Sequence, residues 1–470
     1  MTHSTKAVAA AVMVAGLLAL GQDARGEIPL VTDVTNLSGF GGPLLAVTNE
    51  VARGHSANFA LFAAGQIDFA EVETLPTVGP IFNNRSCGGC HFQPALGGSG
   101  GSINEVRIRN NTAGGPLHIF ANDNILRLGP QNQGGVTVFP TGVEATPLGC
   151  QITHPSCQKS ACQKEEAART TFSTTLPICD PTSRSFRAGN NCTAERQATP
   201  LFGFGLIEAV VDWTFTAIAN SQPLSIRGTV KTVSELGATR VGRFGWKDDV
   251  ATLRGFSGDA YLNEMGITSP DFPTERSTCA RNVSQFGVLL DAADEPKDQT
   301  EADGRAGVDH FADFMRMLDP PPRLSQNANA QAGHTLFHQI GCGGCHLENI
   351  TTSSNPAGFI PKTTGGIPAI SSSLNGFLAN KTFHPFSDFL LHDMGSLGDG
   401  ITSGAAGPKQ MRTAPLWGVR AKSRFLHDGR AETVQDAIGL HDGQGAAARD
   451  AFDRLNASQQ QQVLDFLNTI

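Results

Sequence analysis

The 470-residue chain has a single tyrosine, Tyr261, against 28 phenylalanines, and only three tryptophans. Phenolic redox chemistry therefore has one candidate, and that ring reads first as a packed core side chain. No run of basic residues occurs and the formal net charge is −8, which excludes an ordinary nucleic-acid partner and favours a docking partner with a basic face. Beyond the N-terminus there is no apolar run of the roughly 20 residues that a membrane-spanning helix needs. Charged residues make up 17% and hydrophobic residues 40% of the chain, a globular rather than disordered balance. The length suits two or three domains.

The exception is the start. Lys6 is followed by an apolar run from Ala7 to Leu20 and then by small and polar residues to Gly26. This pattern predicts a secretory signal peptide over 1–26 and a mature periplasmic protein without a membrane span.

Ten cysteines are present. Four lie in two copies of one pentapeptide, Cys87-Gly-Gly-Cys90-His91 and Cys342-Gly-Gly-Cys345-His346. C-x-x-C-H is the attachment motif of c-type haem: both thiols add to the porphyrin vinyl groups and the adjacent imidazole binds the iron. Two identical copies predict two covalently bound haems, with Cys87, Cys90, Cys342 and Cys345 as anchors and His91 and His346 as iron ligands. The other six cysteines, Cys150, Cys157, Cys162, Cys179, Cys192 and Cys279, are even in number and suggest disulfides whose pairing the sequence does not choose. None forms a tight pair resembling a redox dithiol.

The first motif is followed by a glycine-rich loop, Gly97 to Gly101, and by Val106 to Arg109, whose alternation predicts a strand. Residues 141–192 read as a polar, cysteine-rich insertion. Ala332, Leu336, Phe337 and Ile340 recur at helical spacing just ahead of the second motif. Pro320-Pro-Pro322 reads as a stiff connection between halves. Ser458 with Gln461 resembles a capping box for a final helix that buries Val463, Leu464, Phe466, Leu467 and Ile470.

The chain also resembles itself. Thr199-Pro-Leu-Phe-Gly203 and the later Phe244-Gly-Trp246 to Leu253 segment correspond to Thr413-Ala-Pro-Leu-Trp-Gly418 and Phe425-Leu-His427 to Val434. Each pair lies downstream of its own Cys-Gly-Gly-Cys-His motif, so two diverged copies of one unit are expected.

Six ordered strings carry a wider resemblance: Pro200-Leu-Phe-Gly-Phe-Gly-Leu-Ile-Glu-Ala209, Gly242-Arg-Phe-Gly-Trp-Lys247, Asn263-Glu-Met-Gly-Ile-Thr268, Ser387-Asp-Phe-Leu-Leu-His-Asp-Met-Gly395, Arg412-Thr-Ala-Pro-Leu-Trp-Gly418 and His427-Asp-Gly-Arg-Ala431. They resemble the di-haem oxidoreductase family, also labelled thiol oxidoreductases, a distant relative of bacterial di-haem cytochrome c peroxidases. The resemblance implies a mainly α fold: two cytochrome c-like haem domains in tandem, 27–319 and 323–470, with long irregular loops and minor β. It implies that Trp246 lies between the haems and that Glu264 is the acid/base above the reactive iron, with Glu208 a weaker candidate. Where the peroxidases carry a distal glutamine, this chain has Phe256. It implies Met411 as the outer ligand of the second haem, with Met394, His392 and His427 as alternatives, and His118 as a resting ligand of the first. Trp213 and Trp417 read as core aromatics. Electrons would enter at the His346 haem from a small cytochrome c or cupredoxin and be used at the His91 haem in a peroxidase-like reaction. The readings from other classes are a plain electron carrier with both irons six-coordinate and an oxygenase of an organic substrate.

Overall fold

The computed structural model describes residues 40–54, 56–73, 86–100, 104–109, 125–127, 192–265, 267–273 and 302–470. The expected signal peptide, the insertion, Cys150, Cys157, Cys162, Cys179, Cys279 and His118 lie outside them, as does the side chain of Cys192. Among the described residues no helix is long and apolar enough to cross a membrane.

Helices supply most of the regular structure, with minor β. In the first half, α1 (Leu45–Ala52) and α2 (Ala57–Ala70) lead to the first Cys-Gly-Gly turn. Strands β1 (Asn104–Arg109), β2 (Ile125–Arg127) and β3 (Cys192–Gln197) form an antiparallel sheet in the order β2-β1-β3, so the alternation at 106–109 does mark a strand. Next come α3 (Phe204–Glu208), α4 (Asp212–Ser221), a hairpin of β4 (Thr232–Glu235) and β5 (Ala238–Val241), and α5 (Leu253–Ala260). A π-turn, Tyr261–Met265, continues directly from α5, and α6 (Gly307–Met317) packs on α2 and α5.

In the second half α7 (Ala328–Gln339) ends at the second Cys-Gly-Gly turn, as its apolar spacing predicts. Strand β6 (Ile350–Thr351), helix α8 (Ser372–Leu378) and strand β7 (Thr382–Phe383) follow. Strands β8 (Leu391–Asp393) and β9 (Gln410–Arg412) pair antiparallel, with His392 opposite Met411. Helices α9 (Val434–Gly439), α10 (Ala446–Asp453) and α11 (Ala457–Leu467) close the chain. The capping box of α11 lies two residues earlier than expected: Asn456 accepts from Gln459 N and the Gln459 side chain returns to Asn456 N. Asparagine is a strong N-cap, and its position sets the helix start.

The larger core cluster runs from Leu44 and Phe62 through Phe204, Phe244 and Phe314 to Ile350, Leu378, Phe383 and Trp417. It draws residues from both sides of Pro320–Pro322. The smaller one gathers Phe337, Phe386, Phe425, Phe452 and Phe466 around α7 and α11. The proline stretch is packed rather than free, since Arg420 donates to the Pro322 carbonyl and a Cβ on Gly418 would strike Pro321.

The internal repeat is built alike in both copies. Gly203 and Gly418 each precede a helical turn with φ 72° and ψ 9°, a left-handed conformation that glycine adopts without steric cost. Phe244 bridges Val250 as Phe425 bridges Ala431. Gly245 and Leu426 have φ of 77° and 72° at matching places. Thr252 caps α5 and Thr433 caps α9 through the same hydroxyl-to-amide bond.

Candidate functional site

Both Cys-Gly-Gly-Cys-His segments form one 3₁₀ turn closed by an amide bond of 3.0 Å, from His91 N to Cys87 O and from His346 N to Cys342 O. In each, the histidine Nδ1 lies against a backbone carbonyl, Gly98 O at 3.0 Å and Phe386 O at 2.9 Å. A carbonyl only accepts, so Nδ1 carries the proton and Nε2 keeps its lone pair for a metal. The glycine-rich loop after the first motif serves this purpose: its Gly98 folds back so closely that a Cβ there would lie 2.0 Å from Gln93 O. Burial, with the neighbouring His441, pushes the His346 imidazole down to about 4, so the ring is neutral. Cys87 and Cys342 are pushed up to about 12 by burial, the opposite of a reactive thiolate. All four motif cysteines are free of disulfides.

The surroundings of the two turns differ. Beside the first, Cys87 Sγ is 3.8 Å from Met265 Sδ at the end of the π-turn, and Glu264 and Glu73 both act electrostatically on the thiol. Phe69 packs against His91 at 5.9 Å. Glu264 therefore stands near the first motif, as do Glu73 and Met265, which the sequence did not single out. Glu208 is corrected. It is fully buried, accepts from Leu253 N and from Arg316 Nε at 2.8 Å each, and so pins the start of α5 instead of facing a substrate. Phe256 joins Phe204 and Phe244 in the core.

Beside the second turn lies a cavity of about 330 Å³, lined by Cys342, Cys345, His346, Trp246, Met411 and His441 among mostly apolar neighbours. Met411 is brought there by a clamp. Arg412 N donates to Trp246 O at 2.9 Å, and Lys247 Nζ donates to Gln410 O at 2.8 Å and Gly407 O at 2.9 Å. The same ammonium pairs with Asp399, which Arg196 also holds at 2.6 Å. Burial disfavours the Asp399 charge, yet these two cations keep its carboxyl well below the usual range. Met394, His392 and His427 line the cavity too. His392 is held between Asp388, 2.9 Å from its Nε2, and Cys345 Sγ, 3.7 Å from its Nδ1. His441 was missed in the sequence. Its ring centroid is 6.4 Å from that of His346, and its Nδ1 is likewise committed to a carbonyl, Ala437 O at 2.7 Å.

Trp246 and His427 hold equivalent places in the repeat and meet edge to face at 6.3 Å. Trp246 Nε1 donates to Gln197 O at 2.8 Å, and Leu201 N donates to Gly97 O at 2.8 Å. A short peptide segment thus runs from Trp246 to the loop that holds His91. Trp417 is buried as expected, but Trp213 is 68% exposed, because it sits on the outer face of α4. Tyr261 is buried against Phe311, a packing role.

Residues 178–470 match the family described as di-haem oxidoreductase, putative peroxidase. The chain belongs to this family. Its members are two-haem oxidoreductases, and this chain is an enzyme of that kind. The matched region holds Cys342–His346 and Trp246; the first motif precedes it. No curated protein matches the chain. Among solved structures, the chain is similar to hydrazine synthase of Kuenenia stuttgartiensis, with 15% identity, 65% of this chain and 81% of that one covered, and a TM-score of 0.30. It is also similar to the di-haem peroxidase BthA of Burkholderia thailandensis, with 14% identity, 49% and 66% covered, and a TM-score of 0.27. A MauG-like protein associated with microbial copper homeostasis matches with 15% identity, 57% and 88% covered, and a TM-score of 0.26.

The residues present fit a haem in the second half. The cavity wall is apolar, the thiols and a neutral imidazole share one edge, and half-buried Lys422 lines it. Burial pushes the Lys422 ammonium down to about 8, and a haem propionate is the kind of anion that would pair with it and favour its charged form.

Proposed function

We propose that the mature chain is a periplasmic di-haem peroxidase in which Cys87 and Cys90, and Cys342 and Cys345, would anchor two haems through thioether bonds and His91 and His346 would bind their irons. When bound, such haems supply one-electron transfer and, where one axial position is free, peroxide activation. The observation that carries the reading is the pair of matching turns, each presenting two thiols outside any disulfide and an imidazole whose Nδ1 is spent on a carbonyl.

The two halves take different tasks. The C-terminal half receives electrons from a small redox protein, a cytochrome c or cupredoxin, and its cavity offers Met411 and His441 as outer ligands. The N-terminal half consumes the oxidant. There Glu264 takes the first proton of peroxide and returns it to the leaving oxygen. Trp246, edge-on to His427 and bonded through Gln197 toward the His91 loop, is the aromatic between the two tasks. Peroxide turnover with reduced cytochrome c as donor tests the reading; a fully loaded protein that never oxidises the donor would refute it.

One observation favours a plain electron carrier instead. Phe256, where peroxidases have a distal glutamine, is spent on core packing and gives peroxide no polar partner. Carbon monoxide separates the two: a reduced protein that binds none has no open iron.

A further inference from the structure

On the outer face of α7, one helical turn before Cys342, His334 and His338 converge with Glu348 from the segment after His346. The two histidines are four residues apart and therefore share one helix face. His334 Nε2 lies 2.9 Å and His338 Nε2 3.4 Å from the same carboxylate oxygen, Glu348 Oε2, and the two Nε2 atoms are 3.3 Å apart. A tetrahedral ion about 2.0–2.1 Å from each ligand sets its ligand atoms about 3.3–3.4 Å apart. Two of the three separations match the edges of one face of a tetrahedron, and the third, 2.9 Å, is shorter than that edge. A simple ion pair between a protonated His334 and Glu348 accounts for the 2.9 Å contact but not for the second imidazole turned to the same point.

The rings are held for this. His334 stacks on Phe466 at 4.6 Å and 20°. His338 stands edge-on to Phe337 and lies over the haem-motif turn, where a Cβ on Gly343 would come 2.4 Å from its Nδ1. Side-chain exposure of 30% and 44% at the histidines leaves a path for an ion and room for water as fourth ligand. We infer that His334, His338 and Glu348 bind a divalent transition-metal ion, at a site separate from both haems. Two imidazoles and one carboxylate suit zinc or copper(II) and not calcium or magnesium, which prefer oxygen ligands alone.

The test titrates untagged, haem-loaded mature protein with zinc chloride by calorimetry, with calcium chloride as control. One equivalent of zinc should bind, and His338→Gln and Glu348→Gln should each weaken it at least about 10-fold with the visible haem spectrum unchanged. Zinc-edge X-ray absorption on the unmutated protein should show two imidazoles and no sulfur in the first shell. Absence of zinc binding, affinity unchanged in both variants, or a shell containing sulfur or lacking the paired imidazoles would each overturn the assignment.

Discussion

The two Cys-Gly-Gly-Cys-His turns have the same five residues, the same 3₁₀ geometry and the same Nδ1-to-carbonyl bond, yet they stand in opposite surroundings. The first has the Glu73 carboxylate near it, and Glu264 and the Met265 thioether on a π-turn of the kind that often marks a functional site. The second opens on an apolar cavity whose candidate ligands are a methionine and a histidine. On the proposed reading, the pentapeptide decides how a haem is gripped, and the elements packed against it decide what that haem can do.

Three experiments break or sharpen that contrast. If each turn holds its own haem, replacing Cys87 and Cys90 by alanine, or Cys342 and Cys345, should each remove one of the two haems and halve the pyridine haemochrome signal. Should either pair leave the signal intact, the two turns are not equivalent anchors. Glu264→Gln should lower peroxide turnover by about 100-fold or more while the second haem's spectrum is unchanged. Equal turnover in the variant would strip the first surroundings of their catalytic meaning. In the second cavity, Met411→Ala and His441→Ala compete: the true ligand, when removed, should convert one ferric haem from low to high spin, and the other substitution should not. If neither changes the spectrum, the electron-receiving haem takes its ligand elsewhere.

The remaining predictions concern the scaffold that holds the first surroundings. Arg316 is buried between Glu208 and Asp313, so Arg316→Ala leaves Glu208 without its cation and Asp313 with Arg305 alone, and should cost about 3–5 kcal/mol in denaturant unfolding. A loss below about 1 kcal/mol would mean that this network is not what fixes α5. The smallest effect is at His310. Burial alone would lower its pKa, but the Asp68 carboxylate at 2.6 Å raises it above the ordinary value. The folded chain then holds this proton more tightly than the unfolded one. Its stabilisation is complete below about pH 6.5 and fades as pH rises through the raised value. His310→Gln should flatten that part of the stability–pH curve; a curve of the same shape would exclude the pair as its source.

Much of the site was legible because it is local in sequence. A tight turn needs only its own residues, so Cys87 to His91 and Cys342 to His346 announced themselves. The repeat was legible for the same reason: Thr252 and Thr433, and Gly203 with Gly418, are positions where one residue type sets one backbone conformation. Glu208 was misread because a carboxylate in a familiar string carries no sign of its partner, and Arg316 lies 108 residues away. His441 went unseen because nothing within α9 or its flanks points to His346. Trp213 looked like its buried namesakes, and only the packing of α4 turned it outward.

By itself, then, the sequence determined the attachment turns, the neighbouring imidazoles, the helical spacing of α7 and the doubling of the unit, since each depends on residues within a few positions of one another. The tertiary structure alone decided which carboxylate is pinned and which stands beside a haem turn, which side chains share the second cavity, and that two histidines and a glutamate meet on the face of α7. Those outcomes depend on distances between remote segments, and they are set by how the cores pack.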